Sequence, residues 1–318
     1  MRHIFNAAQV LPGGSHPGSL TPYEPFLPRP PADIAGLVEK AEGSLRHTLL
    51  NDYLFRALLQ ENNAALKSLI CAILHLTEEE VVSVTITNPI LLGKSIERKS
   101  FLLDVNVLMN NDTRINLELQ AEDLYNWPER SLGYLCRNFD HLNKGEDYIR
   151  TKASVHISIL NYVLFKEHPE FHSIYKLLNV KNHTIYTDKF RLHVINLPCS
   201  HMITEEDRRF GLDLWASLFK ATTWEEIKML AKDHAHIRTA AETIYQLDHN
   251  ETIQWLCERE IDAINRERAM RELIAEQEAT IVEKDTVIAE QDTVIAEQEA
   301  VIAKMREEIM ELKKQMEE

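Results

Sequence analysis

Two runs of alternating apolar and polar residues lie in one part of the chain, Phe101–Gln120, on either side of the sequence MNNDT. A period of two is typical of β-strands, and Asn and Asp are common in tight turns. The pattern therefore predicts a β-hairpin whose loop is centred on Asn111. Its second strand, within Arg114–Asp123, has one apolar and one polar face and is expected to be half-buried.

The hairpin brings two carboxylates together. With the loop centred on Asn111, Asp104 lies opposite Glu118, and directly opposed residues share a face of the sheet. Two carboxylates in this position repel each other unless a cation bridges them. An ion such as Mg²⁺ accepts carboxylates and a backbone carbonyl, here that of Leu119. The pattern alone does not separate such a site from two solvated acids.

Hydrophobic periodicity around the hairpin predicts the other elements of the core. Asn51 or Asp52 can cap a helix that begins just after them, and a second helix is predicted over residues 64–76. A further helix is predicted after Asn126, with Pro128 in its first turn. Runs rich in β-branched residues predict three more strands, at residues 81–87, 154–160 and 190–197. This order of elements predicts a mixed α/β core.

The two ends of the chain differ from this core, which is assigned to residues 46–200. Residues 1–45 contain seven of the eleven prolines and are expected to form a flexible leader without helix or sheet. Residues 201–265 are predicted to form a helical extension. Residues 266–318 carry isoleucine at every seventh position from Ile274 to Ile309, which predicts a coiled coil although several d positions are polar. Self-association through this segment is favoured over a lone charged helix.

Composition and charge limit the class of protein. The chain of 318 residues is 44% hydrophobic and 27% charged, and no stretch approaches the roughly 18 apolar residues of a membrane span. The absence of a recognisable secretory signal and the four scattered cysteines predict buried thiols and a cytoplasmic location. Of the net charge of −15, residues 258–318 carry −9. The rest is only mildly acidic, so contacts with DNA are expected to be local and salt-sensitive.

Several catalytic classes lack their motif. Residues 91–95, LLGKS, resemble the end of a phosphate-binding loop, but Asn88 stands where the first glycine is required. The two histidines of residues 234–238, HAHIR, lie on different sides of a helix and do not match a zinc protease. The G-x-S-x-G motif of serine hydrolases is missing. The acids of the hairpin are therefore the leading candidates for a site.

Five short motifs follow one another between Asn51 and Pro198, about half of the chain. They are D-x-x-F-[KR] at Asp52–Arg56, LDV at Leu103–Val105, ELQ at Glu118–Gln120, an arginine and a tyrosine at Arg130 and Tyr134, and K-G-x-x-Y at Lys144–Tyr148. Each motif is weak alone, but the ordered set resembles the PD-(D/E)XK nuclease superfamily. Within it, the set resembles the Rpn branch of recombination-promoting nucleases and transposases.

The resemblance implies a restriction-endonuclease-like core and a DNA endonuclease that uses Mg²⁺, or Mn²⁺ in its place. Asp104 and Glu118 would bind the metal with the Leu119 carbonyl, and Gln120 would position a water. The wider superfamily usually has lysine at this last position. A neutral amide orients water but cannot stabilise charge as lysine does. The alternative is therefore a catalytically weak, nuclease-like module that binds DNA or assembles through its coiled coil.

Three accessory residues come from the same resemblance. Asp52 either adds a third acid or caps the first helix. Arg130 either contacts a phosphate or forms a structural ion pair with Glu118. Tyr134 lies on the same helical stripe as Arg130.

Overall fold

The structure, a computed structural model, describes residues 27–89, 104–123, 126–140 and 147–317. The chain divides into two compact units, Met1–Cys257 and Glu258–Glu318. The helices are α1 (Ile34–Lys40), α2 (Asp52–Glu61), α3 (Asn63–Leu74), α4 (Trp127–Phe139), α5 (Glu205–Arg209), α6 (Leu212–Lys220), α7 (Trp224–Ala231), α8 (Ala235–Asp248) and α9 (Glu251–Glu317). The strands are β1 (Val84–Ile86), β2 (Val105–Met109), β3 (Thr113–Gln120), β4 (Ala153–Leu160), β5 (His172–Lys176) and β6 (Phe190–Asn196).

Strands β2 and β3 form the predicted hairpin, in the predicted register. Asn106 pairs with Asn116, as a loop centred on Asn111 requires. Asn111 has a φ of 58°, in the left-handed region that asparagine tolerates better than most residues. Asp104 immediately precedes β2. Extending the register by one pair beyond Val105 and Leu117 places Asp104 opposite Glu118.

One mixed sheet contains all six strands in the order β1-β2-β3-β4-β6-β5. The β3–β4 and β4–β6 pairs are parallel, and the remaining pairs are antiparallel. The mixed α/β core is thereby confirmed. Strand β5 has no predicted counterpart, because this edge strand has three consecutive exposed residues and no alternation.

Helices cover both faces of the sheet. On one face, Leu117 and Leu119 join the main core with buried residues of α2, α3, α6, α7 and α8. On the other face, Trp127 of α4 packs with Leu160 and Val194. The expectation that β3 is half-buried is therefore wrong, since Glu118, on its polar face, is only 4% exposed. Alternation shows which residues share a face, but not that a helix covers it.

Helix α2 begins at Asp52, and Asn51 is its N-cap. The Asn51 side chain accepts a hydrogen bond from the Leu54 amide at 3.0 Å. Of the two capping candidates, Asp52 is therefore the wrong one, because it is already helical. Helix α3 lies close to the predicted 64–76.

Part of the predicted leader forms regular structure within the first unit. Helix α1 lies at residues 34–40, so the expectation that residues 1–45 contain no helix is wrong there. Val38 is buried in the main core, and the Leu45 amide donates to the Thr222 carbonyl at 2.8 Å. Proline is concentrated before α1, which leaves residues 34–40 free to form a helix.

Helix α4 begins directly after Asn126, as predicted, and ends at Phe139. All four cysteines are described and are free thiols, and three of them are buried. Cys136 is exposed on α4, so the expectation of uniformly buried thiols is wrong for this residue.

Helix α9 supplies the whole described part of the second unit. The six isoleucines of the heptad pattern are each 47–56% exposed. The boundaries at 45, 200 and 265 and the coiled coil stay predictions. Among the described residues, none of the helices is both long and apolar enough to span a membrane.

Candidate active site

Glu118 lies on β3 under α4, with a side chain that is 6% exposed. Its Oε1 accepts a hydrogen bond from Nη2 of Arg130 at 2.5 Å. Its Oε2 is buried and has no hydrogen-bond partner among the described residues. A buried carboxylate oxygen without a donor is costly, and a bound cation would satisfy it.

The surroundings of Glu118 favour its protonated form. Burial raises the pKa of Glu118 to about 7, and the negative charge of Asp104 acts in the same direction. The guanidinium of Arg130 opposes this rise. The hairpin register, which leads Asp104 to the position opposite Glu118, accounts for the effect of its charge.

Asp104 is held by side-chain amides. Its Oδ2 accepts hydrogen bonds from Nδ2 of Asn116 at 2.7 Å and from Nδ2 of Asn106 at 3.2 Å. Nδ2 of Asn88 donates to the Asp104 carbonyl at 3.0 Å. These bonds fix the carboxylate beside β2 without neutralising its charge.

Arg130 connects several of the predicted site residues. Besides its ion pair with Glu118, it donates from Nη1 to Oε1 of Gln120 at 3.3 Å and from Nε to the Tyr134 hydroxyl at 3.2 Å. The guanidinium also lies 5.4 Å from the centre of the Trp127 ring. The ion-pair interpretation of Arg130 is thus observed, yet its side chain is 34% exposed and accessible to a ligand.

Both ends of the Gln120 amide are already engaged. Nε2 donates to the Glu122 carbonyl at 3.0 Å, while Oε1 accepts from Arg130. An amide group has two N–H donors and two lone pairs, so one of each is still available to orient a water. A residue at position 120 must therefore present a hydrogen-bond acceptor to Arg130 if this bond is to form.

Helix α2 brings two further charges close to the site. Burial lowers the pKa of Arg56, while the charge of Asp104 opposes this change. Burial lowers the pKa of Arg130, but the charge of Glu118, and to a smaller extent that of Asp52, outweigh burial and raise it. Asp52, Asp104 and Glu118 do not gather their carboxylates within 4.8 Å of one another. A role for Asp52 as a third acid stays a prediction.

Two residues near the site carry no sequence motif. Burial raises the pKa of Tyr162, as do the charges of Asp123 and Glu118, and its hydroxyl has no partner among the described residues. His156 is fully buried and stacks on Tyr134 with ring centres 5.8 Å apart. Burial lowers its pKa to about 3, so it is neutral. In the sequence, the only feature that marks His156 is that it is a polar residue within a largely apolar strand.

Of the last predicted motif, Lys144–Tyr148, only Tyr148 among its three defining residues is described. Tyr148 is 86% exposed, in a short 3-10 helix, Tyr148–Arg150. Lys144 and Gly145 lie outside the described residues.

The donor set fits a hard divalent cation. Asp104 and Glu118 supply carboxylate oxygens, which Mg²⁺ and Mn²⁺ prefer. The unpartnered Oε2 and the mutual repulsion of the two acids are the features that a cation would relieve. The Leu119 side chain points into the main core, and the use of its carbonyl as a ligand stays a prediction.

Comparison with protein families gives one match. The model of a family described as "PD-(D/E)XK nuclease family transposase" matches residues 49–272. Comparisons with curated proteins and with solved structures give no match. The matched region contains both carboxylates, the sheet and helices α2–α8. It extends well beyond Pro198, where the resemblance seen in the sequence ended.

Proposed function

The chain belongs to the PD-(D/E)XK nuclease family of transposases, and on that basis we propose that it is a metal-dependent DNA endonuclease. The fold is restriction-endonuclease-like, with a mixed sheet between helices. The observation that carries the proposal is the buried, unpartnered Oε2 of Glu118 beside Asp104. Within the family, the ordered motifs favour the Rpn branch and a role in recombination.

Asp104 and Glu118 would hold Mg²⁺, or Mn²⁺ in its place. An ion held there would supply positive charge to offset negative charge on a phosphate and to favour ionisation of a water. In the reaction, the water oxygen bonds to phosphorus, one P–O bond of the diester breaks, and the leaving oxygen gains a proton. Gln120 orients a water through its remaining N–H and lone pair, and the partly exposed Arg130 binds a phosphate oxygen.

Plasmid nicking by purified protein with Mg²⁺ or Mn²⁺ tests this function. Asp104→Ala and Glu118→Ala are expected to remove the activity. Glu129→Gln alters an exposed carboxylate on α4 and is the matched control, which should cut like the wild type. A wild-type protein that nicks no faster than the two alanine variants would refute the proposal.

A second candidate function is a catalytically weak DNA-binding or assembly module. It is favoured by Gln120 in place of lysine and by the burial of Glu118, which raises the pKa of its carboxyl and favours the protonated form. DNA binding that survives Glu118→Ala, with no shift in melting temperature on adding Mg²⁺, would support this function over the first.

We also propose that the second unit pairs with a second copy of the chain. Six half-exposed isoleucines at seven-residue spacing form one stripe on α9, and a coiled-coil partner would bury such a stripe. Light scattering of the full chain and of a chain ending at Arg266 tests this. An unchanged oligomeric state after truncation refutes the pairing.

The four free thiols further support a cytoplasmic location.

A further inference from the structure

Three side chains of metal-binding type meet at one point outside the candidate active site. His75 follows the C-terminal end of α3, His172 is on β5 and Asp207 is in α5. One ligand atom of each lies within 4.8 Å of the other two. In residues 27–89, 104–123, 126–140 and 147–317, no other group of three or more His, Cys, Asp or Glu residues is this close.

Two of the three distances between ligand atoms are close to those of a tetrahedral metal site. Oδ1 of Asp207 lies 3.0 Å from Nε2 of His75 and 3.2 Å from Nδ1 of His172. Ligands about 2.0–2.1 Å from a tetrahedral Zn²⁺ are about 3.3–3.4 Å apart. The two distances to Asp207 therefore need to lengthen by only a few tenths of an ångström to admit an ion, and the two histidine nitrogens lie within 4.8 Å of each other. Two imidazole nitrogens and one carboxylate oxygen favour a transition-metal ion over Mg²⁺.

Outer partners hold two of the three ligands in place. Nε2 of His172 lies 3.1 Å from Nδ1 of His193. Oδ2 of Asp207 accepts from the amide of Thr204 at 2.9 Å and from its hydroxyl at 2.7 Å. Metal-binding histidines and carboxylates usually have such partners on their second polar atom. In both residues the remaining atom, Nδ1 of His172 and Oδ1 of Asp207, faces the centre of the cluster.

The cluster is enclosed on one side and accessible on the other. The side chains of His172 and Asp207 are each 3% exposed, whereas that of His75 is 15% exposed. The Glu206 carboxylate, 70% exposed, lies 3.8 Å from Nδ1 of His75. His75 has a φ of 52°, a conformation that a non-glycine residue keeps only where its surroundings hold it. Because its side chain is partly exposed, His75 is the side from which an ion in solvent can reach the cluster.

The sheet separates this cluster from Glu118. His172 pairs with Ile195, Ile195 with Ile159, and Ile159 with Leu119. Directly paired neighbours share a face, whereas consecutive residues of a strand point to opposite faces. His172 is therefore on the Leu119 face, and Glu118 is on the other. An ion bound at either place would not contact the ligands of the other.

We propose that His75, His172 and Asp207 form a second metal site, which binds a divalent transition-metal ion such as Zn²⁺. The ion would link the end of α3, the edge strand β5 and α5, which are distant in sequence. A fourth position would be open to water or to a protein ligand. This proposal does not depend on nuclease activity.

The test uses the full chain without an affinity tag, carrying Asp104→Ala and Glu118→Ala so that the candidate active site cannot bind metal. After removal of metals with a chelator, Zn²⁺ and Co²⁺ are added separately. We expect one equivalent of bound metal by elemental analysis, a rise in melting temperature, and a visible Co²⁺ spectrum that indicates imidazole and carboxylate ligands.

Variants then identify the ligands. His75→Asn suits the left-handed backbone and should lower Zn²⁺ affinity by more than about 100-fold. His193→Gln alters an outer partner and should lower it by about 10–100-fold. His236→Asn removes an imidazole that is 48% exposed and paired with Glu78; this control should leave the affinity unchanged.

Two outcomes would overturn the proposal. One is a parent protein, folded by circular dichroism, that binds no Zn²⁺; this result is independent of whether any variant folds. The other is a folded His75→Asn protein with the affinity of the parent. Either result would assign the cluster to a hydrogen-bonded network in which the two imidazoles donate to Asp207.

Discussion

Replacing Glu118 by glutamine should stabilise the folded protein at neutral pH. Burial raises the pKa of Glu118 from 4.5 to about 7 in the folded state, so that state retains a proton that the unfolded chain releases. Below pH 4.5 both states are protonated and there is no penalty. Between pH 4.5 and 7 the free energy of unfolding falls as pH rises, and above pH 7 the full penalty persists.

The size of this effect follows from the shift. A rise in pKa from 4.5 to about 7, at 1.36 kcal/mol per pKa unit, corresponds to about 3 kcal/mol. Glutamine has nearly the shape of the protonated acid and does not titrate. Glu118→Gln should therefore equal the wild type at pH 4.5 and exceed its stability by about 3 kcal/mol at pH 7.5.

Urea unfolding at pH 4.5, 6 and 7.5, in the presence of a chelator, measures this difference. Adding Mg²⁺ at pH 7.5 should stabilise the wild type but not Glu118→Gln, since a ligand that binds the native state alone raises stability. Glu129→Gln, at an exposed position on α4, should follow the wild type throughout. A stability difference that is constant with pH, or that favours the wild type at pH 7.5, would refute the reasoning.

Three further substitutions test the surroundings of Glu118. Arg130→Met removes a charged hydrogen bond worth about 1.5–3 kcal/mol, so the pKa of Glu118 should rise by about 1–2 units; an unshifted pH midpoint of Mg²⁺ binding contradicts this. Gln120→Lys places an ammonium group beside Arg130 and should lower the melting temperature without faster nicking; faster nicking at an unchanged melting temperature contradicts this. Trp127→Phe removes the 3.1 Å hydrogen bond from Nε1 to the Ser158 hydroxyl and should lower the free energy of unfolding in urea by about 1–3 kcal/mol. A decrease below about 0.5 kcal/mol, the size of a typical surface substitution, contradicts this.

The sequence predicted the elements whose periodicity is strong. Alternation around Asn111 gave the hairpin and its register, because a period of two and an Asn-rich turn fix both. It could not show that Trp127 covers the polar face of β3, because that packing joins residues from different elements. The short helix α1 was missed because nearby prolines dominate the composition of the segment.

The same division applies to the site. The proximity of Asp104 and Glu118 follows from hairpin register, a local property. The contacts of Tyr162 and His156 arise only when β4 and the following loop pack beside β3 and α4. His75, His172 and Asp207 are separated by 97 and 35 residues in the sequence, and no spacing rule connects them. Tertiary packing creates these neighbourhoods, so they carry no motif.

Arg130 changes the meaning of Gln120. In the wider superfamily a lysine at this position is expected to supply positive charge, and a neutral amide by itself cannot. Here the guanidinium of Arg130 lies within hydrogen-bond reach of both Glu118 and Gln120 and is still partly exposed. The amide oxygen of Gln120 then accepts a hydrogen bond from Arg130 and orients its guanidinium, whereas a lysine at this position would repel the guanidinium. Under the proposed function, positive charge comes from α4 instead of β3, so Gln120 alone does not indicate an inactive enzyme.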